Sequence, residues 1–479
     1  MKIKILRLTF IMSLITLCLS YSYAQMESAY SVLSRARGSV NSYPQVARLL
    51  ANDGLYFTST AYLKEYLVRS DGRKARNIDA LLDEVISQIG VKQFDVMPIN
   101  ILKKSHAPTI YYILAKKHFR YRRYNEALNT LNTRIPANHP TKPFALLLEG
   151  SAFAVLGKTN SAKASFRRCI DVSDDFLSQT TEPNRMRQLS INKDYCIVGI
   201  PRSDFAAKKY ESANSMYLDL PKESYIWPEV LFEEAWNSFY LRDYNRTLGK
   251  LVTYKAPVLD YVFNPETDVL RSLTYMELCL FDDAGKVVDD FYQEYESDST
   301  AMKKFLAKYG RNYKYYYLMM KSKKLGKRPG NKLLNNYLDY LLKDAAFVEL
   351  LDNFNRGRNE IQKIKTSPNR KLKRIFLANL KQALLLQRDL IGAYVRKTII
   401  QFTKELEKTF EGMSYIKLEI LARKKDQIYN TTRSYGFRSR GDVKNIQRTD
   451  KQYFWTFNGE FWADELGDYV FSLKSECRK

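Results

Sequence analysis

Histidines, cysteines and a group of carboxylates beside tryptophans are the residues here best suited to chemistry. His106, His118 and His139 lie in one stretch, but His118 holds an apolar-face position and His139 precedes Pro140 in a loop. Those placements speak against a metal site. Cys169, Cys196, Cys279 and Cys477 include no C-x-x-C pair, which removes a redox or zinc motif and leaves three full disulfide pairings open. Glu460, Asp464 and Glu465 stand beside Trp455 and Trp462. Paired carboxylates next to stacking rings suit acid–base work on a sugar, whereas Asp464-Glu465 equally suits the first turn of a helix, where negative charge meets the positive dipole end. HExxH, GxSxG, P-loop and dinucleotide glycine patterns are absent. The expectation is a non-enzyme with no catalytic residues, no cofactor and no metal.

The elements that must position any function begin with the N-terminus. Lys2, Lys4 and Arg7 precede an apolar run from Leu8 to Leu19, then Ser22-Tyr23-Ala24. This is the pattern of a secretory signal peptide over 1–24, with cleavage after Ala24 and export to the periplasm. The run is shorter than the roughly 20 apolar residues of a spanning helix, and bulky Leu17 before Cys18 argues against lipidation. Loss of the three cations lowers the formal charge from +25 to +22, so the protein should be drawn to anionic partners such as a cell-wall polymer or membrane surface. Export makes nucleic acid an unsuitable one. An oxidising compartment also permits disulfides.

Beyond residue 24, apolar residues recur at helical spacing almost everywhere, so the chain reads as all-α. The helices repeat. Tyr111, Ala115 and His118, then Tyr124, Ala127 and Leu131, reappear 35 positions on as Leu146, Gly150 and Phe153, then Ala162 and Phe166. Leu231, Ala235 and Ser238 with Tyr244, Thr247 and Leu251 make a third copy; Ser272, Tyr275, Phe281, Ala284 and Val288 make a weaker fourth. A compressed pair fits between the second and third copies, over 194–221. Two antiparallel helices approach closely only where side chains are short, which is the role expected of Ala115, Gly150 and Ala235. The period and pattern look like the tetratricopeptide repeat (TPR). The expected architecture is a TPR-like α-solenoid over 105–297, preceded by helical repeats or a cap over 25–104.

Residues 298–430 are expected to form a basic helical region and a long coiled-coil-like arm. Its lysine- and tyrosine-rich start suits either a solvated helix face or a patch for an anionic polymer or membrane. One helix is expected over 331–355. Another starts at Ser367-Pro368 and continues to about Tyr429, with Gly392 and Gly412 as possible kinks, either folding back as a hairpin or self-associating with another chain. Residues 431–479 form an aromatic-rich tail, where Asn458-Gly459 suggests a tight turn or hairpin and 464–473 suits a helix. The tail should dock on the helical body or offer an aromatic recognition surface.

Carried over by repeat register, the partner-binding candidates on first helices are Lys116, Phe119 and Arg120, then Ser151 and Ala154, then Trp236 and Tyr240; Trp455 and Trp462 join them from the tail. A basic pair such as Lys116 and Arg120 suits an acidic segment. The signal peptide, the repeats with Trp227-Pro228-Glu229-Val230-Leu231-Phe232-Glu233-Glu234-Ala235-Trp236, the long helix and the segment from Trp455 to Gly467 together resemble TPR proteins of the cell envelope in gliding and predatory bacteria. Some of those are associated with adventurous gliding motility machinery. The resemblance implies a periplasmic scaffold or adaptor for envelope proteins, in a motility or trafficking complex. The alternative is a peptidoglycan- or glycan-binding protein that uses its basic surface and C-terminal tryptophans.

Overall fold

A computed structural model describes residues 25–132, 134–430, 446, 448 and 450–477, with backbone alone over 425–430. The expected signal peptide and residues 431–445 at the start of the tail therefore lie outside the described residues. Among those described, strand is confined to Trp455–Thr456 and Tyr469–Val470, and the rest of the regular structure is helix.

Five helix pairs share one turn, and that turn is the signature of the repeat. Arg122, Gly157, Lys208, Arg242 and Cys279 have φ between +57° and +71°. At each, the N–H of the left-handed residue bonds three residues back and the next N–H five back, as in Arg122 N–H to Phe119 O and Arg123 N–H to His118 O, both 2.9 Å. This Schellman closure satisfies carbonyls that the ending helix leaves open. Only one of the five residues is glycine, although a left-handed conformation costs other residues about 1–2 kcal/mol.

Seven residues before each turn residue stand Ala115, Gly150, Pro201, Ala235 and Ser272; five after it stand Ala127, Ala162, Ala213, Thr247 and Ala284. All ten are buried. These short side chains sit where the paired helices cross, and helix axes 8–10 Å apart leave no room for long ones. At Gly150 an added Cβ would lie 2.5 Å from the Phe166 ring; in the last pair Ser272 Oγ donates to Ala284 O at 3.1 Å. The turn positions are 35, 34 and 37 residues apart, except for 51 between Gly157 and Lys208. The pair expected over 194–221 begins earlier, as Pro183–Ala206 with Tyr210–Tyr217, and the wide spacing arises because Pro183–Ala206 and the preceding Thr159–Gln179 are both long; a Cys169–Cys196 disulfide joins those two.

The chain forms two compact units. The first comprises the described residues up to Thr141, with Tyr313–Tyr317 and Asp344–Tyr394. Its core merges Leu50, Leu63, Leu82 and Ile110 from the N-terminal helices with Leu372, Phe376 and Leu380 from far downstream. Buried polar groups follow the same route: Lys64 Nζ donates to Gln93, Gln93 to Gln387, and Gln387 to the Leu350 carbonyl, each at 2.9 Å. Burial pushes the Lys64 ammonium down to about 8.

The second unit comprises 142–312, 318–343 and 395 onward, and so holds four of the five repeat turns. Phe402 packs edge-on or tilted against Phe263, Tyr337 and Tyr340, and Phe410 against Phe291 and Tyr292. These rings cover the last helix pair, Glu266–Glu277 with Phe281–Tyr309, where an array otherwise ends in water.

Several expectations about the second half change. The 331–355 helix is two, Lys332–Lys343 and Ala345–Lys365, because the Asp344 carboxylate caps the second through Phe347 N at 2.7 Å. The long helix, Arg370–Asn430, is capped by Asn369 rather than Ser367, with Asn369 Oδ1 accepting from Lys371 and Leu372 N–H groups. Its 61 residues run unbroken through both glycines. Gly392 is no kink: its missing side chain leaves space for the Tyr313 backbone, which an added Cβ would strike. The first part of the helix folds back on Ala345–Lys365, with Leu384 against Gly357 and Gln387 donating to the Leu350 carbonyl at 2.9 Å; Phe376, Leu380 and Ile391 are buried there, and Ile399, Leu406, Met413 and Ile420 in its second part.

The tail does dock, though as neither hairpin nor helix. Trp455–Thr456 pairs in parallel with Tyr469–Val470. The second strand lies so close to helix Tyr244–Thr253 that a Cβ at Gly249 would collide with the Tyr469 carbonyl. Gly467 N–H donates to Thr253 Oγ1 at 3.2 Å, and Glu476 N–H to Leu278 O at 2.9 Å. A Cys279–Cys477 disulfide ties the tail to the fifth repeat turn.

Candidate partner-binding surfaces

In the first unit, the three candidate residues all meet their own chain. Arg120 bonds the Asp95 carboxylate, which also lies 3.9 Å from Lys117. Lys116 Nζ stands 5.2 Å from the centroid of the Tyr112 ring. Burial pushes its pKa down, against the pull of Asp95 and Glu349. Phe119 meets Tyr124 edge-on at 5.2 Å. The acidic complement expected of a partner is thus supplied in part by Asp95.

In the second unit, Ser151 Oγ turns back to the Leu147 carbonyl at 2.8 Å, and Ala154 packs against the cluster that Leu146, Ala162 and Phe166 help to form. Trp236 and Tyr240 belong to a larger constellation. Tyr240 stacks on Tyr210 at 5.0 Å with the rings 6° from parallel, Phe205 meets both edge-on, and Trp236 stacks on Tyr240 at 5.9 Å. The repeat turn builds this strip. Phe205 and Phe239 stand three residues before their turn residues, and Tyr210 and Tyr244 two after, so each turn presents a ring pair and adjacent turns bring the pairs together. Phe239 and Tyr244 meet at 5.6 Å. Tyr240 remains 49% exposed. Phe205 and Tyr210 fall in the helix pair expected over 194–221, yet nothing local marks them as partners of a residue some thirty positions on.

On the helices that carry the strip, charge is internally matched. The Arg202 guanidinium bonds Glu233 at 2.6–3.0 Å and Glu229 at 2.7 Å, while Glu234 and Lys250 form a buried pair. Side chains held in this way lose little further entropy when a partner arrives, which favours a preformed surface.

On the tail, Trp455 is 47% and Trp462 56% exposed, while Tyr469 and Val470, the strand paired with Trp455–Thr456, are buried. Trp462 N–H donates to the Tyr469 hydroxyl at 2.8 Å. Docking and display therefore coexist: one side of the tail seals onto the helices and the other shows its indoles. Glu460 and Asp464 are exposed, and Glu460 N–H closes a local turn on Asn458 Oδ1 at 3.0 Å. His118 is buried, with its pKa lowered chiefly by that burial, and His139 Nε2 lies 3.7 Å from Asp83. Among the described residues, no group of three or more His, Cys, Asp or Glu is placed to hold a metal ion, and no helix is long and apolar enough to cross a membrane.

No protein-family model and no curated protein matches the chain. Solved structures similar to it include the apo form of RapI, at 11% identity and TM-score 0.32, covering 63% of this chain and 99% of that one. A tetratricopeptide repeat protein from Parabacteroides merdae aligns at 15% identity and TM-score 0.28, covering 57% and 94%. A Rap protein complexed with competence and sporulation factor aligns at 13% and 0.31, covering 77% and 99%. Scores of this size leave the weight on the five matched turns and ten buried small positions within the chain itself. By that internal register, the fold is all-α and built on TPR-like helix pairs.

Proposed function

We propose that the protein is a non-enzymatic scaffold of the periplasm that holds partner proteins within a cell-envelope complex. The observation that carries this reading is the preformed aromatic strip of Phe205, Tyr210, Trp236 and Tyr240, because rigid, partly exposed aromatic side chains are the usual anchors of protein interfaces. The export reading rests on residues 1–24, and N-terminal sequencing of the protein from its host tests it by whether the chain starts at Gln25. A place in gliding motility or trafficking rests on the resemblance of the repeat and tail segments. Crosslinking and pull-down from envelope extracts test the scaffold. Specific proteins should be captured by the parent chain and lost with Trp236→Ala/Tyr240→Ala; capture unaffected by that pair removes the strip from the function.

A second reading, glycan binding, is favoured by the exposed indoles of Trp455 and Trp462. Retention on sedimented peptidoglycan that disappears with Trp455→Ala/Trp462→Ala supports it, and retention by the variant opposes it. Self-association through the long helix would use Tyr415, Leu418 and Leu421, which are exposed at helical spacing while its other stripe is buried. Sedimentation velocity across a concentration series tests this, a single monomer species at every concentration opposing it.

A further inference from the structure

Residues 299–338 hold eleven Lys and Arg and no Asp or Glu. Within this stretch, the later part of helix Tyr313–Lys324 and the turn beyond it have an unusual division of faces. Met320 points inward and is buried. Lys323 is drawn in beside it, 2.7 Å from Asp339 and 2.6 Å from Asn335 Oδ1. The outer face, where polar residues normally meet water, carries Leu318, Lys321 and Leu325 at i, i+3 and i+7. Leu318 is 45% exposed and Leu325 72%. Gly326, with φ +83°, ends the helix in a tight closure: its N–H bonds Lys323 O at 2.9 Å, and Lys327 N–H bonds Ser322 O at 3.1 Å. Lys321, Lys324, Lys327 and Arg328 are all exposed.

We propose that this tip docks the protein on an anionic lipid surface. Leu318 and Leu325 enter the boundary between headgroups and acyl chains, and Lys321, Lys324, Lys327 and Arg328 pair with lipid phosphates. Two observations select lipid over an acidic protein. The leucines protrude from a helix end and its turn, so a protein would have to supply a fitted pocket for each, whereas an acyl boundary accepts them without matching shape. The exposed charges from Lys321 to Arg328 are also all positive, as a uniformly anionic surface favours and a mixed protein surface does not. Lysine and arginine stems can lie along the interface while their charges stay at phosphate level. This inference goes beyond the scaffold reading and is independent of which protein the repeats hold.

The test uses the chain from Gln25 onward, so that residues 1–24 contribute nothing, sedimented with vesicles of phosphatidylethanolamine and phosphatidylglycerol or of phosphatidylcholine alone. Binding should require phosphatidylglycerol and weaken with salt. Each cation near an anionic leaflet strengthens binding roughly fivefold, so Lys321→Ala/Lys327→Ala should weaken it about 25-fold. Leu318→Ser/Leu325→Ser should weaken it by about tenfold or more through lost apolar burial. All four side chains are exposed, so helical circular dichroism should match the parent in both variants. Equal binding to both vesicle types overturns the proposal. So does a leucine variant that binds as tightly as the parent, since attraction by charge alone then points to a soluble polyanion or an acidic protein.

Discussion

Asn245 holds Leu473 by both of its backbone groups: the carboxamide oxygen accepts from the Leu473 N–H at 2.8 Å, and the carboxamide nitrogen donates to the Leu473 carbonyl at 3.2 Å. The Asn245 carbonyl also accepts from Phe471 N–H at 3.0 Å. A helix side chain thereby reads an extended segment as it would a bound peptide. Asn245→Ala removes two hydrogen bonds, each worth about 0.5–1.5 kcal/mol. Hydrogen exchange should show residues 467–476 losing protection by about tenfold or more while helices of the first unit keep theirs. Unchanged protection in the tail would falsify this account of its docking.

The disulfide pairing left open by four cysteines is specific in the structure. Peptide mapping without reductant should recover Cys169 joined to Cys196 and Cys279 joined to Cys477. In Cys477→Ser, the tail is held by hydrogen bonds, apolar contacts and the Lys222–Asp468 and Lys451–Asp219 ion pairs. Adding Asn245→Ala should then give more than the sum of the two single losses of protection. Either of the other two full pairings contradicts the placement of the tail.

Gly150 and Gly199 both press on the Phe166 ring, each so close that a Cβ would come within 2.5–2.7 Å of it. Gly150→Ala should destabilise the protein by about 1–3 kcal/mol, the usual cost of overpacking a tight core. Combined with Phe166→Leu, the cost should shrink, because the smaller side chain yields the space. Denaturant midpoints for the parent, both single variants and the double form a cycle. Simple additivity would remove the ring as the source of the conflict.

Glu360 reaches the N-terminus of helix Tyr56–Arg69, accepting from Phe57 N at 2.7 Å, Thr58 N at 2.9 Å and Thr58 Oγ1 at 2.7 Å. No side chain at the Leu55 N-cap does this work. Burial pushes the carboxyl up to about 7, and these hydrogen bonds only partly oppose it. A carboxyl with a raised folded-state pKa binds its proton more tightly when folded. Its contribution is therefore complete below about pH 4.5 and is lost as pH rises through about 7. Glu360→Gln should flatten the fall in stability across that window, seen as a smaller change in thermal midpoint between the two pH values. An unaltered pH profile would assign the slope to other groups.

The repeats were readable because their constraint is local. Ala115 with Ala127, and Gly150 with Ala162, keep their spacing about one tight turn. The turn residue was not readable, since Arg122, Lys208, Arg242 and Cys279 adopt a left-handed conformation that glycine usually marks. Tertiary closure, rather than residue preference, holds them there. Trp236 and Tyr240 stood out by register and type, but their partners Phe205 and Tyr210 come from the preceding helix pair. Asn458-Gly459 misled because a short turn signal says nothing about which distant backbone the following strand will meet. The 370–430 helix was seen as one element, with its apolar stripe intact. The identity of the residues it covers depends on contacts hundreds of positions apart, which no window of sequence contains.

That separation has a consequence for how the protein is made. Glu360 bonds Phe57 across 303 positions, and the core of the first unit closes only when Leu372, Phe376 and Leu380 arrive. During translation, the earliest helices must wait for most of the polypeptide to leave the ribosome, with their apolar sides uncovered in the meantime. Such a nascent chain gains from a chaperone that binds it before its downstream half appears. A stop codon before residue 370 would leave that core without Leu372, Phe376 and Leu380.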